Sequence, residues 1–282
     1  MMDHQGMGFD LHTARMIQAN EANWNARTPI HVASDFYSVT TRDPADWFAD
    51  YEWTDLGDLH NRDLAHLQCH IGSETLAFAH RGARVTGLDL SGASIEAAKA
   101  IAAARNLDID YVQSDVYTAV DALGHNRFDV VYTGKGSICF LPDLTPWADQ
   151  VAALLKPGGF LYLVEFHPLL HSLGRVPDAE TSLILKHDYL AGRGPAREDG
   201  TYTYTDGPTV PSSPEYFEWC HGIGEVVTAL IGAGLRIDLL RESEEIPWQR
   251  WASMENTRGV WHRLPREAPR TPLLYAIRAT KS

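Results

Sequence analysis

Residues 63–91 read DLAHLQCHIGSETLAFAHRGARVTGLDLS, and this stretch decides the fold. Leu64–Cys69 is short and mostly apolar, and a turn containing Gly72 follows it, which is the pattern of a buried strand. Ser73–Arg81 is crowded with helix-compatible residues, and Gly82 stands where a C′ glycine closes a helix. Arg84–Leu90 is a second apolar strand with Asp89 near its tip. The unit is therefore strand, turn, helix, strand. The helix start offers unpaired N–H groups to an anionic ligand. Asp89 follows Gly72 at close to the spacing of about 20 residues at which nucleotide folds hold ribose hydroxyls.

Downstream, Ser91 caps an Ala-rich helix that closes near Asn106. Ile109–Gln113 is a third strand, with Ser114-Asp115-Val116 behind it. Phe128–Tyr132 is a fourth strand, followed by Thr133-Gly-Lys-Gly136. Over Pro142–Leu155 the residues Leu144, Trp147, Val151 and Leu154 recur at helical spacing, and Lys156-Pro-Gly-Gly159 stops the helix. Phe160–Phe166 is a fifth strand. Strands alternating with helices through short connections predict an α/β, doubly wound parallel sheet. Gly222–Gly234 is a further helix, and Leu235–Arg241 and Pro272–Ala279 are two more strands.

Upstream, residues 1–12 are polar and loosely structured. Thr13–Arg27 reads as a helix with Met16, Ile17, Asn20 and Trp24 on one side, ended by Thr28-Pro29. A second helix starts with Asp43 as N-cap and Pro44 at its first position, and Trp47, Phe48 and Tyr51 make its apolar face. Residues 167–220 break the α/β pattern. They are rich in Gly, Pro, Ser, Thr and Tyr, include a strand-like alternation over Thr201–Thr205, and are long for a connection, which suggests a cap.

These stretches resemble class I S-adenosylmethionine-dependent methyltransferases. The wording Leu64-Ala-His66-Leu-Gln68-Cys69-His70-Ile-Gly72 is similar to a variant first motif of a small-molecule subgroup. His66, Gln68, His70 and Gly72 hold the places of an acid and three glycines, so only the last glycine is kept. The run from Phe128-Asp through Leu154-Leu-Lys-Pro-Gly-Gly159 to the strand after it resembles the family's later motifs. The resemblance implies a seven-stranded, mostly parallel Rossmann-like sheet whose last strand is antiparallel, with a cap insertion. It divides the chain into an N-terminal helical lid (1–60), a cofactor-binding core (61–166), a cap (167–220) and the rest of the core (221–282).

The cofactor so implied is S-adenosyl-L-methionine, with S-adenosyl-L-homocysteine as product. The residues implied to hold it are Gln68, Cys69, His70 and Gly72 of the turn, Asp89 with Leu90, Asp115 with Val116, Thr133, and Tyr37 of the lid. Asp89 would accept from both ribose hydroxyls. Asp115 would accept an adenine N–H, with Leu90 and Val116 on the ring faces. By itself Cys69 reads as a small buried hydrophobe, and His70 either meets the cofactor or points outward. The lid residues Trp24 and His31 and the cap residues Tyr202 and Tyr204 are expected beside the acceptor. They read equally as core, surface or strand residues. His167 follows the fifth strand at the carboxyl edge, where doubly wound sheets bind ligands. It and His221 are the candidate acid–base residues, and each is also an ordinary turn or cap histidine. The pair His167 and His171 has no third ligand, so no metal is expected.

Composition bounds the alternatives. Lys and Arg number 24 against 37 Asp and Glu, for a net charge of −13. That balance disfavours nucleic acid and anionic membranes as partners. Three scattered cysteines suit a reducing cytoplasm, and no signal peptide or membrane span is read. The expected partner is a small-molecule acceptor methylated at O or N, by a monomer or homodimer. A cofactor-binding protein without catalysis and a nicotinamide-dependent oxidoreductase are the competing readings, although the glycine fingerprint of the latter is absent.

Overall fold

The computed structural model describes residues 8–173 and 185–282. A seven-stranded sheet organises them. Its members are β1 (Asp63–Leu67), β2 (Arg84–Asp89), β3 (Asp110–Gln113), β4 (Phe128–Thr133), β5 (Leu155–Phe166), β8 (Leu235–Ser243) and β12 (Leu274–Lys281). The spatial order is β3-β2-β1-β4-β5-β12-β8. The first five strands run parallel, and β12 is antiparallel to both β5 and β8. The expected topology is thus present, with the last strand inserted beside the fifth.

Alternation along β1 sends its side chains to two cores. Ala65 and Leu67 face a cluster built with α5 (Ala119–Leu123), α6 (Leu144–Leu154) and α8 (Ile223–Gly232). Leu64 faces the opposite cluster, with Phe48, Leu56 and Phe78 from α2 (Asp50–Leu56), α3 (Ser73–His80) and the turn before α2. Both faces of the parallel strands are buried, which is why they read as near-continuous apolar runs. α4 (Gly92–Ala104) packs its Ile95, Ala98 and Ile101 beside Tyr111 of β3.

The structure departs from the sequence reading in several places. α1 spans Leu11–Ala33 and carries Pro29 in its interior. The X-Pro signal at Thr28 is overridden because Ile30 and His31, one turn further on, are both buried. The stretch 201–205 is a series of bends rather than a strand. The strands of the cap are β6 (Ala196–Asp199) and β7 (Glu215–Glu218), paired antiparallel, because Tyr216 has a buried place to fill and Tyr202 has none. Lys156-Pro-Gly-Gly159 begins β5 with a register shift instead of trailing α6. A small sheet of β9 (Glu245–Ile246), β10 (Glu255–Arg258) and β11 (Trp261–Arg263) was not foreseen. It seals the sheet edge with buried Trp251, Met254 and Trp261. α7 (Pro168–Ser172) leads toward residues 174–184, so part of the expected cap lies outside the described residues.

Candidate active site

The carboxyl ends of β1, β2, β3 and β4 form one crest. The turn from β1 into α3 keeps glycine-like geometry where glycine is missing. Gln68 has φ 55°, His70 φ 51° and Gly72 φ 75°. Left-handed backbone at two bulky residues is uncommon and is held by its surroundings. The Cys69 N–H donates to Leu88 O, and the His70 N–H donates to Asp89 Oδ2 at 2.8 Å. The Ser91 N–H donates to Asp89 Oδ1 at 2.8 Å. Asp89 thus ties the turn to the start of α4, and burial pushes its carboxyl up to about 6 against those two bonds.

Asp115 follows β3 on the neighbouring strand tip, 5% exposed, and accepts from the Tyr117 N–H at 2.9 Å. It is a buried cap rather than a surface turn acid. Val116 belongs to the main core cluster, and Leu90 is half-buried. Cys69 is buried, and its thiol is pushed up by burial and by Asp89, so it stays protonated. His66 occupies the place of the family's acid. It is fully covered, its Nδ1 lies 2.8 Å from Thr75 Oγ1, and burial lowers its pKa to about 3.

Gln68 Oε1 and Thr133 Oγ1 are among the buried polar atoms of the crest that have no hydrogen-bond partner among the described residues. They belong to adjacent strand tips, since Leu67 pairs with Thr133 across β1 and β4. Gln68 Nε2 donates to Ser137 O at 2.8 Å, which fixes the carboxamide. Two acceptors left open side by side fit the donor-rich methionyl ammonium of the implied cofactor.

The expected lid and cap residues gather above this turn. His31 Nδ1 lies 3.0 Å from His70 Nε2, and His31 Nε2 lies 2.6 Å from Thr203 Oγ1. The Trp24 ring packs edge-on against His70 and Phe140. The Tyr37 and Tyr204 hydroxyls are 2.5 Å apart. Tyr202 does not join them, being 75% exposed.

The two candidate acid–base histidines differ in how they are held. His167 Nδ1 accepts from the Leu169 N–H at 3.1 Å and its Nε2 lies 2.9 Å from Glu242, so it caps α7. His221 Nε2 lies 2.8 Å from Leu141 O, and its Nδ1 is 3.2 Å from Glu225. Both nitrogens of His167 are engaged, whereas His221 Nδ1, though near Glu225, has no hydrogen-bond partner among the described residues. Among the described residues no group of three or more His, Cys, Asp or Glu is placed to hold a metal ion.

Several residues at the site escaped the sequence reading. Asn25 Oδ1 accepts from Ser91 Oγ and the Ala93 N–H, docking α1 on the start of α4. Arg27 is 3% exposed and lies between the rings of Trp24 and Tyr216 at 4.6 and 4.7 Å. Asn20 exchanges two hydrogen bonds with the backbone of Phe217. Glu165 accepts four backbone N–H bonds, from Gly136, Ser137, Ile138 and Phe166, and shapes the loop after β4. Burial still raises its carboxyl to about 7.

Residues 65–161 match the family model described as a methyltransferase domain. Over that stretch the chain is similar to a methyltransferase domain. The matched span holds the crest turn, Asp89, Asp115 and Thr133. A ubiquinone biosynthesis O-methyltransferase of Alkalilimnicola ehrlichii is 32% identical over 141 residues, which is 50% of this chain and 53% of that protein. The enzyme of the same name from Brucella ovis is 33% identical over 96 residues, 34% of this chain and 38% of its own. The chain therefore spans about half or less of the curated relatives it matches. Among solved structures, an S-adenosylmethionine-dependent methyltransferase of Mesorhizobium loti superimposes with TM-score 0.58 at 20% identity, covering 82% of this chain and 97% of that one. The magnesium protoporphyrin IX methyltransferase of Synechocystis, solved with bound S-adenosylhomocysteine, gives TM-score 0.55 at 15% identity over 94% and 99% of the two chains. These likenesses establish the fold as that of the methyltransferases.

Proposed function

We propose that this protein is an S-adenosylmethionine-dependent methyltransferase acting on an O or N atom of a small molecule. One observation carries the reading. Two acids on neighbouring strand tips, Asp89 and Asp115, stand beside a first turn that keeps left-handed backbone at 68, 70 and 72, and two buried acceptors on the same crest, Gln68 Oε1 and Thr133 Oγ1, have no hydrogen-bond partner among the described residues. When bound, the cofactor supplies a methyl group on a sulfonium that is already an activated leaving group.

The chain's own residues then bind and orient. Asp89 holds the ribose hydroxyls, Asp115 the adenine edge, and Gln68 with Thr133 the methionyl ammonium. Positioning accounts for most of the rate when the leaving group needs no activation. The described residues of the lid (8–60) and of the cap (167–173 and 185–220) cover a core formed by 61–166 and 221–282. Trp24, His31, Tyr37 and Tyr204 close over the turn and exclude water from it. Because Asn20 and Asn23 bind the cap backbone at Phe217 and Ser213, lid and cap part together when ligand enters. The acidic balance and the scattered cysteines support a cytoplasmic monomer or homodimer without a nucleic-acid partner. Among the described residues no helix is long and apolar enough to cross a membrane.

Calorimetric titration with S-adenosylhomocysteine tests the reading. Saturable binding that competes with S-adenosylmethionine is expected. Absence of heat and of competition with either ligand overturns it.

A further inference from the structure

A cleft opens where β5 gives way to α7, between the loop after β4 and the cap strands β6 and β7. Ile138 and Cys139 line it beside Ser137, whose carbonyl takes the Gln68 carboxamide, so the cleft adjoins the crest turn. Its walls include the rings of Phe166, Trp219, His221 and Tyr275. The Tyr275 hydroxyl and His221 Nδ1 have no hydrogen-bond partner among the described residues, although the two residues are only 1% and 8% exposed. Buried polar atoms are almost always bonded, so open ones on a cleft wall point to a ligand.

The open nitrogen of His221 is the one able to take a proton. Its Nε2 faces a carbonyl, Leu141 O at 2.8 Å, and only a nitrogen bearing hydrogen can bond there. The neutral ring therefore carries its hydrogen on Nε2 and a bare lone pair on Nδ1. Glu225 Oε1 lies 3.2 Å from Nδ1, where it would stabilise the imidazolium once a proton arrives. The Glu225 side chain is 40% exposed, so water screens it while the ring is neutral. Burial, then Glu165, Tyr189, Cys139 and Glu225, raise the Tyr275 phenol, which stays protonated and able to donate. Glu225 is thus a neighbour of both open groups.

No other carboxylate or imidazole of the described wall is both buried and open. Glu165 accepts four backbone N–H bonds, and Asp188 pairs with Arg193 at 3.4 Å. His171, Glu198 and Glu218 are engaged with neighbours, and His187 is exposed.

We propose that His221 is the general base of an acceptor site in this cleft and that the acceptor is a phenol or alcohol, whose O–H donates to His221 Nδ1 while its oxygen accepts from the Tyr275 hydroxyl. The proposal rests on the methyltransferase reading and adds the reacting group of the acceptor. As the acceptor oxygen bonds the methyl carbon, the C–S bond breaks and its electron pair stays on sulfur. The O–H proton passes to Nδ1 and later leaves for water. A neutral amine has one lone pair, and donation from Tyr275 would occupy the pair that must attack. An oxygen keeps a second.

The probes 4-nitrophenol and 4-nitroanisole share a ring and differ in the O–H. Each is titrated into the full-length protein with and without saturating S-adenosylhomocysteine, at a pH where free nitrophenol is chiefly protonated. The nitrophenol is expected to bind at least about tenfold more tightly than the anisole. Its bound form should show the phenolate absorption band, which reports proton transfer directly. His221→Gln keeps an N–H donor for Leu141 O and removes the lone pair, so it should abolish the band while S-adenosylhomocysteine still binds. Tyr275→Phe removes only an unbonded hydroxyl, so the protein should fold, and nitrophenol binding should weaken several-fold. Equal binding of the two probes, absence of binding by either, a bound nitrophenol without the band, or a His221→Gln protein that ionises the probe as the wild type does, each overturns the proposal. Where S-adenosylhomocysteine still binds, such a result leaves the methyltransferase reading standing. An ionised probe on a protein that binds no S-adenosylhomocysteine would uphold the base and sink the methyltransferase reading instead.

Discussion

His31 Nδ1 lies 3.0 Å from His70 Nε2, so one hydrogen bond joins the lid helix to a position that the methyltransferase family fills with glycine. The other His31 nitrogen reaches Thr203 of the cap, which makes His31 the link between three separate parts of the chain. A glycine at 70 has no side chain with which to make this contact. The missing glycine is therefore not a simple loss, because its replacement anchors the lid.

The anchor depends on neutral rings. Burial, then the neighbouring His70, pushes His31 down to about 2, and burial with the Arg27 charge pushes His70 to about 3. An unfolded imidazole takes a proton below about 6.5, and the folded one does not. The stabilisation is therefore complete above that pH and is lost as pH falls toward 3. Glu52, Glu165 and Asp89, raised by burial to about 7, 7 and 6, carry the opposite sign, so the wild-type curve alone mixes the two. The difference between wild type and His70→Asn isolates the histidine. Asn tolerates the left-handed backbone, and the wild-type advantage in urea denaturation should shrink by about 2 kcal/mol between pH 7.5 and pH 5. A constant difference would exclude the buried neutral ring as the cause.

Gln68→Gly should separate strain from binding. Relieving a left-handed non-glycine residue gains about 1 kcal/mol, and losing the bond to Ser137 costs a similar amount. Stability in denaturant should change little. Affinity for S-adenosylhomocysteine should fall about tenfold, since one charge-assisted acceptor is lost. Unchanged affinity would remove Gln68 from the cofactor site.

Asp89→Ala should weaken S-adenosylhomocysteine by about a hundredfold, at about 1.5 kcal/mol for each of two charge-assisted ribose bonds. The wild-type affinity should also decline as the pH drops below about 6, where the raised carboxyl of Asp89 takes a proton. Titrations at pH 7.5 and 5.5 check both statements. An affinity that ignores pH and the substitution alike would place the ribose elsewhere.

Lys135 binds Glu52 and Glu74, each at 3.2 Å, and the three link α2, the first turn of α3 and the loop after β4. Lys135 and Glu52 side chains are 6% and 0% exposed. Lys135→Met leaves two acids facing each other without a cation, which should cost about 3 kcal/mol in urea denaturation. Adding Glu52→Gln should recover part of that loss. Destabilisation below about 0.5 kcal/mol would show that the pair is not dry.

Much of the fold was legible because its signals are local. Leu64–Cys69, the closing Gly82, the Ser91 cap and Asn106 each state a strand, a stop or a start within a few residues; the last three sit where they were read, and the strand ends two residues early, at Leu67, because Gln68 already turns left-handed. Pro29 and Thr201–Thr205 misled for the complementary reason. Helix termination at a proline and strand formation from alternation are weak preferences, and burial of Ile30 and His31, or the lack of a partner strand for Tyr202, outweighs them.

By itself the sequence determined the order of strands and helices, the parallel sheet and the acids at its strand tips. Apolar periodicity and chain reversals are encoded next to one another, and the handedness of crossovers leaves few ways to assemble them. Only the tertiary structure decided what stands over the crest. His31 meets His70 and Thr203, Arg27 lies between Trp24 and Tyr216, and Tyr275 turns an unbonded hydroxyl into a cleft. Each of these depends on residues far apart in the chain converging on one point, and side-chain direction at such a point is set by packing from several elements at once.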